Sequence, residues 1–331
     1  MGNSVTKDFY NIQCTSKMDN SVSNQEAQNG IKNIPVRTHK RTRRSRGGPP
    51  NTVLKILYTN ARGITGKMKS LHGIIEQQEP DIVAITETKL NTDKNIKIEG
   101  YTWIGRPRRG KEGGGVGLMI KDQIRNHIRI HKIGQEEIEI MWIKVKVKRQ
   151  TETAIGVYYG KQESRTQKQD IEREFAEIGK MVKELAEENN QVILIGDFNA
   201  KVFEEESRNG KIMKKELLER NNMRIINETE KCKGKYTRVN TKNTDEKSII
   251  DYCVVGEQTW NSVKEMKIDE EGKIRLQGRK PTDHNTITVT VEIPGNIYTS
   301  AKVRVIQDSK RPKISRNNNW AEYREKLREL Q

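Results

Sequence analysis

Asp197 and Asn199, a carboxylate and a carboxamide two positions apart, carry the clearest chemical signal in this sequence. They sit in Gly196-Asp197-Phe198-Asn199-Ala200, directly after Gln191-Val192-Ile193-Leu194-Ile195, an apolar run long enough for one buried strand. Residues i and i+2 of an extended chain share a face. The spacing therefore points both side chains into one site at the strand's C-terminal end. One accepts protons and the other donates hydrogen bonds, which suits activating a water beside a phosphate. The competing reading is a Gly-Asp turn with Asn as its left-handed residue.

Polar residues recur at the ends of other apolar runs. Asn60 follows residues 54–58, Glu87 follows 82–85, and Asp283-His284 precedes 286–291. Asp251 lies inside Ile249-Ile250-Asp251-Tyr252-Cys253-Val254-Val255. An unpaired buried carboxylate costs several kcal/mol or is neutralised, and His284, one of five histidines, is the natural partner. Each position has an ordinary alternative: turn or cap residues at Asn60 and Glu87, a turn at Asp283, a structural arginine partner for Asp251. Their common placement at strand boundaries favours one shared site.

These residues need elements to hold them. Strands are expected at 53–58, 81–86, 138–147, 154–159, 249–255, 263–268 and 286–293. Over 138–147, lysines alternate with Ile143, Val145 and Val147, which predicts one wet face. The spacing of Met68, Leu71, Ile74 and Ile75 predicts a helix over 67–78 that Pro80 ends. Ile171, Phe175, Ile178, Val182 and Leu185 form the stripe of a longer helix over 165–189, and a further helix fits 212–221. So many strands exceed a simple doubly wound sheet; two packed sheets with helices on their outer faces fit better. Gly113-Gly114-Gly115-Val116-Gly117 lacks the Gly-Lys-[Ser/Thr] of a phosphate loop and runs into a strand, so it reads as a tight approach or bend. The preceding Arg106-Pro107-Arg108-Arg109-Gly110-Lys111 reads as an exposed basic loop.

The 331 residues carry a formal charge of +17 and only 32% hydrophobic residues, so part of the chain is expected to be unfolded. Net charge is +6 over 1–50, +6 over 51–294 and +5 over 295–331, so the excess is concentrated in the flanks. This predicts a disordered basic leader (1–50), a central domain (51–294) and a basic linker with a short helix (295–331). Cys14, Cys232 and Cys253 are too few and too scattered for a disulfide framework or zinc site, which favours a reducing compartment. No run is long enough for a transmembrane helix and no signal peptide is evident. Met1-Gly2-Asn3-Ser4-Val5-Thr6 fits the myristoylation pattern at Gly2, and the basic run 37–46 would supply a second membrane signal. The competing reading of that run is a nuclear import signal or a nucleic-acid arm.

Thr59-Asn60-Ala61-Arg62-Gly63, Ile85-Thr86-Glu87-Thr88-Lys89-Leu90, Val157-Tyr158-Tyr159, Gly196-Asp197-Phe198-Asn199-Ala200, Ile250-Asp251-Tyr252 and Thr282-Asp283-His284 occur in the order of the endonuclease/exonuclease/phosphatase superfamily. The resemblance covers about 54–293 and is closest to the AP-endonuclease-like endonuclease domain of non-LTR retrotransposon polyproteins. Trp320-Ala321-Glu322-Tyr323-Arg324-Glu325-Lys326-Leu327 resembles the segment that follows the nuclease there; with no reverse-transcriptase signature by Gln331, the chain reads as a truncated element product. The resemblance implies an α/β, DNase I-like four-layer sandwich of two packed mixed β-sheets flanked by helices. It implies Mg²⁺- or Mn²⁺-dependent phosphodiester hydrolysis on a DNA substrate, in the nucleus. By motif match, Glu87 would bind the metal with Asn60 and Asp283 nearby. Asp197 would be the base and Asn199 a phosphate contact. His284 would hydrogen-bond a phosphate oxygen, held by Asp251, and Tyr158 would stabilise developing charge.

Two departures stand out. Gly160 takes the place of a proline in a Tyr-x-Pro pattern, which predicts a more mobile loop, and Ile249 stands where an arginine is common. The leading expectation is an endonuclease that nicks DNA. The alternatives are an inositol or lipid phosphatase or phosphodiesterase of the same fold, and a catalytically idle nucleic-acid-binding remnant.

Overall fold

The computed structural model describes residues 51–91, 95–108, 113–131, 137–147, 151–188 and 190–298. Its strands are β1 (Thr52–Asn60), β2 (Ile82–Thr86), β3 (Tyr101–Arg106), β4 (Val116–Lys121), β5 (Ile128–His131), β6 (Glu139–Val145), β7 (Thr153–Tyr159) and β8 (Gln191–Asp197). They continue as β9 (Met223–Ile225), β10 (Cys232–Lys233), β11 (Arg238–Val239), β12 (Lys247–Ser248), β13 (Asp251–Gly256), β14 (Val263–Ile268) and β15 (Ile287–Ile293). The α-helices are α1 (Met68–Gln78), α2 (Lys168–Glu187) and α3 (Arg208–Met213). One sheet has the order β10-β14-β15-β1-β2-β4-β3 and the other β5-β6-β7-β8-β13-β9, with β11-β12 a separate two-stranded ribbon. Both sheets are mixed: β1 is parallel to β2 and antiparallel to β15, and β8 is parallel to β7 and antiparallel to β13.

Side-chain alternation sorts the apolar residues into three layers of core. Leu54, Ile56 and Tyr58 of β1 meet Ile193 and Ile195 of β8 and Cys253 of β13 between the two sheets. The opposite face of the second sheet, with Val192, Leu194 and Trp142, packs on Ile171, Phe175, Ile178, Val182 and Leu185 of α2. The opposite face of the first sheet packs Leu57, Val83 and Ile85 on Leu71, Ile74 and Ile75 of α1. The result is the expected four-layer α/β sandwich, two mixed sheets with helices outside.

Local differences from the sequence reading have simple causes. Helix α1 stops at the left-handed Glu79, whose N–H bonds Ile75 O, one residue before Pro80. The predicted wet face over 138–147 is absent from β6: Lys144 is buried beneath α2 and its ammonium pairs with Glu188. The snorkelling stem of a lysine lets it occupy a covered position. The helix expected over 212–221 begins earlier, because Ser207 caps Gly210 N at 3.0 Å, and continues as a π-helical turn over Lys214–Glu219. Packing runs past 294: Ile297 is buried, and the Tyr298 hydroxyl donates to Asp81 at 3.0 Å. The myristoylation pattern at Gly2, the run 37–46, Cys14 and the segment at 320–327 lie outside the described residues, as do 109–112 of the basic loop. Among the described residues, no helix is long and apolar enough to cross a membrane.

Candidate active site

Strand parity decides which polar residues meet. On β8, Ile193 and Ile195 face the core between the sheets, so Asp197 at the strand's last position faces it too. The same parity turns Asn60 at the end of β1 and Asp251 at the start of β13 inward. In register, Asp251 lies directly across from Asp197. Because the sheets pack face to face, these residues converge at one end of the sandwich.

The most buried part is a hydrogen-bonded series. His284 Nδ1 lies 2.8 and 3.0 Å from the two Asp251 oxygens. Asp251 also accepts from the Tyr58 hydroxyl at 2.7 Å. His284 Nε2 lies 3.9 Å from Asp197 Oδ2. Burial alone would lower the histidine's pKa, but Asp251 and the other carboxylates outweigh it and raise it to about 9. Asp197 is pushed up to about 7, first by burial and then by Asp251, with His284 acting in the opposite sense. Its orientation is fixed from both sides: Oδ1 accepts from Asn199 N at 2.9 Å and Oδ2 from Asn60 Nδ2 at 2.9 Å.

Asn199 reaches the site by a different route from the one its spacing suggests. Strand β8 ends at Asp197, and Asn199 is left-handed with φ 46°. The turn and the site thus coexist: the turn aims Asn199 back at Asp197. Its side chain donates to Gly160 O at 2.9 Å, and Gly160 N donates to Asp197 O at 2.7 Å. The loop at Gly160 is therefore clamped rather than loosened by the missing proline. A Cβ there would meet Phe198 O at 2.4 Å, so the close approach itself requires glycine.

Tyr158 does not reach this site. Its parity on β7 is that of the helix-facing side, where its hydroxyl donates to Glu174 of α2 at 2.6 Å among buried apolar residues. Tyr159, on the opposite parity, lines the cleft and donates to Glu87 Oε1 at 2.7 Å. The sequence offers two adjacent tyrosines, and because both faces of β7 are covered, hydrophobicity gives no parity signal.

Glu87 follows β2 in a left-handed conformation (φ 47°), with Lys89 Nζ 3.2 Å from its Oε2. Burial works against its ionisation, but the Tyr159 hydroxyl and Lys89 outweigh it and hold the pKa below the ordinary glutamate value. The glycine run serves this loop. Thr88 N and Lys89 N bond Gly115 O and Gly114 O at 3.1 and 2.9 Å, and a Cβ on Gly115 would meet Thr88 Oγ1 at 2.6 Å. Asp283 lies between two guanidiniums, Arg62 Nη1 at 2.9 Å from Oδ1 and Arg238 Nε at 2.9 Å from Oδ2. Its charge is thus already neutralised by arginines, a role the sequence reading did not give it. Burial raises its pKa, yet His284, Arg238 and Arg62 together bring it below the usual aspartate value.

The donors around the cleft are hard oxygens of Glu87, Asn60 and Asp283, the set suited to a small divalent cation. Asp283 Oδ1 is buried and lacks a hydrogen-bonding partner in good geometry, and both Lys89 and Arg62 are more than two-fifths exposed. By donor type these residues suit a hard cation, with Asn60 Oδ1 now accepting from Arg62 N at 3.0 Å and Asp283 paired with two arginines. Among the described residues, only Asp197, Asp251 and His284 bring three ligand atoms of the His, Cys, Asp or Glu type close together. In that group the imidazole N–H and both Asp251 oxygens are engaged with each other, so it reads as a hydrogen-bonded relay. Among the described residues, four of the six non-glycine residues with positive φ, Arg62, Glu87, Lys89 and Asn199, line the cleft. Each such conformation costs on the order of 1–3 kcal/mol, and its concentration here sets the site apart.

The cationic residues Arg62, Lys89, Arg108, Arg165, Lys201 and Arg238 surround the cleft. The sequence reading left Arg62, Lys89, Arg238 and Tyr159 without roles, although Arg62 and Lys89 stand two residues after Asn60 and Glu87. The expected exposed basic loop is partly tied down, since Arg106 bonds Ile140 O at 2.7 Å and Arg108 pairs with Glu139.

The family model described as "Endonuclease/Exonuclease/phosphatase family" matches residues 57–284. A curated relative, the "Probable RNA-directed DNA polymerase from transposon BS" of Drosophila melanogaster, is 32% identical over 95 residues, 28% of this chain and 10% of that protein. The chain therefore spans only about a tenth of the length of that relative. Among solved structures, the AP endonuclease LMAP from Leishmania major superposes with a TM-score of 0.61 at 18% identity, covering 73% of this chain and 88% of that one. The 3' phosphatase NExo from Neisseria, bound to product DNA hairpin, gives 0.58 at 16% identity over 72% and 99%. The endonuclease domain of TRAS1, a telomere-specific non-LTR retrotransposon, gives 0.54 at 15% over 73% and 100%. These likenesses carry the fold, which is that of DNase I-like proteins.

Proposed function

The chain belongs to the endonuclease/exonuclease/phosphatase family, and we propose that within it this chain is a divalent-metal-dependent phosphodiester hydrolase that nicks DNA, as a retrotransposon-type endonuclease acting in the nucleus. The observation that carries this reading is the convergence of Asp197, His284 and Glu87 on one cleft rimmed by six cationic residues. A basic cleft favours a polyanion, and the phosphate backbone supplies most of the affinity for nucleic acid.

Asp197 is the base. Its carboxylate is held from both sides by Asn60 and Asn199, and a pKa near the working pH serves proton abstraction best. It takes a proton from a water whose oxygen attacks phosphorus; the P–O bond to the leaving sugar oxygen breaks, and that oxygen takes its proton from solvent. His284, kept cationic beside Asp251, donates from Nε2 to a non-bridging phosphate oxygen, and Asn199 makes a second phosphate contact. Glu87, with Asn60 and Asp283 beside it, would hold Mg²⁺ or Mn²⁺, which supplies neutralisation of charge on the phosphate oxygens. Tyr159 orients Glu87. Arg62 and Lys89, half-exposed, are placed to turn toward flanking phosphates.

The test is relaxation of supercoiled plasmid by the full chain with Mg²⁺, beside Asp197→Ala and His284→Ala. Nicking that EDTA stops, and that each substitution lowers by about 10²-fold or more, is expected. Equal nicking by the variants overturns the reading. Phosphate release from inositol lipids without nicking assigns the phosphatase alternative instead.

A further inference from the structure

Lys67, just before α1, is a buried lysine whose ammonium donates to three successive carbonyls: Ala61 O at 2.7 Å, Arg62 O at 3.3 Å and Gly63 O at 2.9 Å. A buried ammonium is costly unless its protons are satisfied, and here three donors meet three acceptors. The carbonyls belong to the turn that leaves β1. Arg62 (φ 44°) and Gly63 (φ 92°) are both left-handed there. For arginine this conformation costs roughly 1–2 kcal/mol, so the turn needs external support. Its amide edge is already tied to the Glu87 loop: Ala61 N bonds Thr86 O at 2.9 Å, Gly63 N bonds Glu87 O at 2.7 Å and Ile64 N bonds Thr88 O at 3.0 Å. Lys67 satisfies the opposite, carbonyl edge.

The turn matters because of what it carries. Asn60 holds Asp197, and Arg62 holds Asp283. Lys67 itself is not among the residues lining the cleft. We propose that Lys67 is a positioning residue: its ammonium fixes the 61–63 turn and, through it, the aim of Asn60 and Arg62 into the cleft. The role in turnover rests on the hydrolytic reading above; the role in ordering the turn does not.

The experiment compares the full chain with Lys67→Met and Lys67→Arg by hydrogen–deuterium exchange in EDTA, duplex binding in EDTA, and plasmid nicking with Mg²⁺. Lys67→Met should speed exchange of the Ala61, Gly63 and Ile64 amides by at least about tenfold, leaving β2 amides within about twofold, as expected for loss of local support. It should lower kcat about 10–100-fold, since a misplacement of about 1 Å reaches that size, while KM and duplex affinity, to which Arg62 adds one phosphate contact among several, should change far less. Lys67→Arg, which keeps a cation, should recover part of kcat. Unchanged exchange in the turn overturns the proposal, as does exchange rising equally through β2, which would mark a merely structural lysine. If neither wild type nor variants nick, the hydrolytic reading fails while the exchange result still decides the role of Lys67.

Discussion

Tyr158 and Tyr159 differ by one residue and by everything around them. One hydroxyl meets Glu174 in the helix-facing core, and the other meets Glu87 in the cleft. Tyr159→Phe should therefore lower kcat about tenfold or more, while Tyr158→Phe should leave kcat within about twofold. The cost of Tyr158→Phe should instead appear in stability, about 1–2 kcal/mol, because a buried carboxylate loses a donor; denaturant titration of both variants checks the contrast. Glu174 also has a pH signature. Burial raises its pKa above the unfolded value, with Lys161 and Tyr158 only partly opposing. The folded state thus binds this proton more tightly, so its contribution is fully present below the unfolded glutamate pKa and is lost as pH rises through the folded one. Glu174→Gln should flatten that fall, read as the pH dependence of Tm in both proteins.

At the scale of elements, the site depends on close approaches between strand ends more than on the strands themselves. Gly196 lies on β8 beside β7, and a Cβ there would meet Tyr158 O at 1.9 Å. Backbone cannot yield that much without separating the two strands that carry Asp197 and Tyr159. Gly196→Ala is expected to destabilise the fold by about 1–3 kcal/mol or more and to cut activity further than lost folded protein explains; denaturant unfolding and specific activity per folded molecule test it. The ends of β1, β2 and β8 are each followed within two residues by a left-handed non-glycine residue, at Arg62, Glu87 and Asn199. These turns convert three inward-facing strands into one polar cluster. The sequence displayed the strands clearly, because apolar runs are a periodic signal. Of the turns it displayed only the one at Asn199, since left-handed arginine and glutamate carry no compositional mark.

Across the whole molecule, the cleft gathers positive charge from segments far apart in sequence, from Arg62 to Arg238. Duplex binding should weaken steeply with salt, with a log–log slope of roughly −0.9 for each phosphate neutralised. Arg165→Ala, at a cleft-lining position outside the catalytic group, should reduce the size of that slope by about one without changing the metal requirement; binding isotherms across a salt series decide it. The sequence by itself determined the family likeness, the strand and helix stripes, and the residue types that gather at one end of the sandwich: Asn60, Glu87, Asp197, Asn199, Asp251, Asp283 and His284. It could do so because carboxylates and carboxamides at the ends of apolar runs are conspicuous in one dimension. Only the tertiary structure decided that Tyr159 rather than Tyr158 faces the cleft, that Asp283 is gripped by Arg62 and Arg238, and that Gly160 is clamped. Those outcomes depend on strand parity within a sheet covered on both faces, and on contacts between residues from about forty to more than two hundred positions apart, neither of which leaves a periodic trace in the chain.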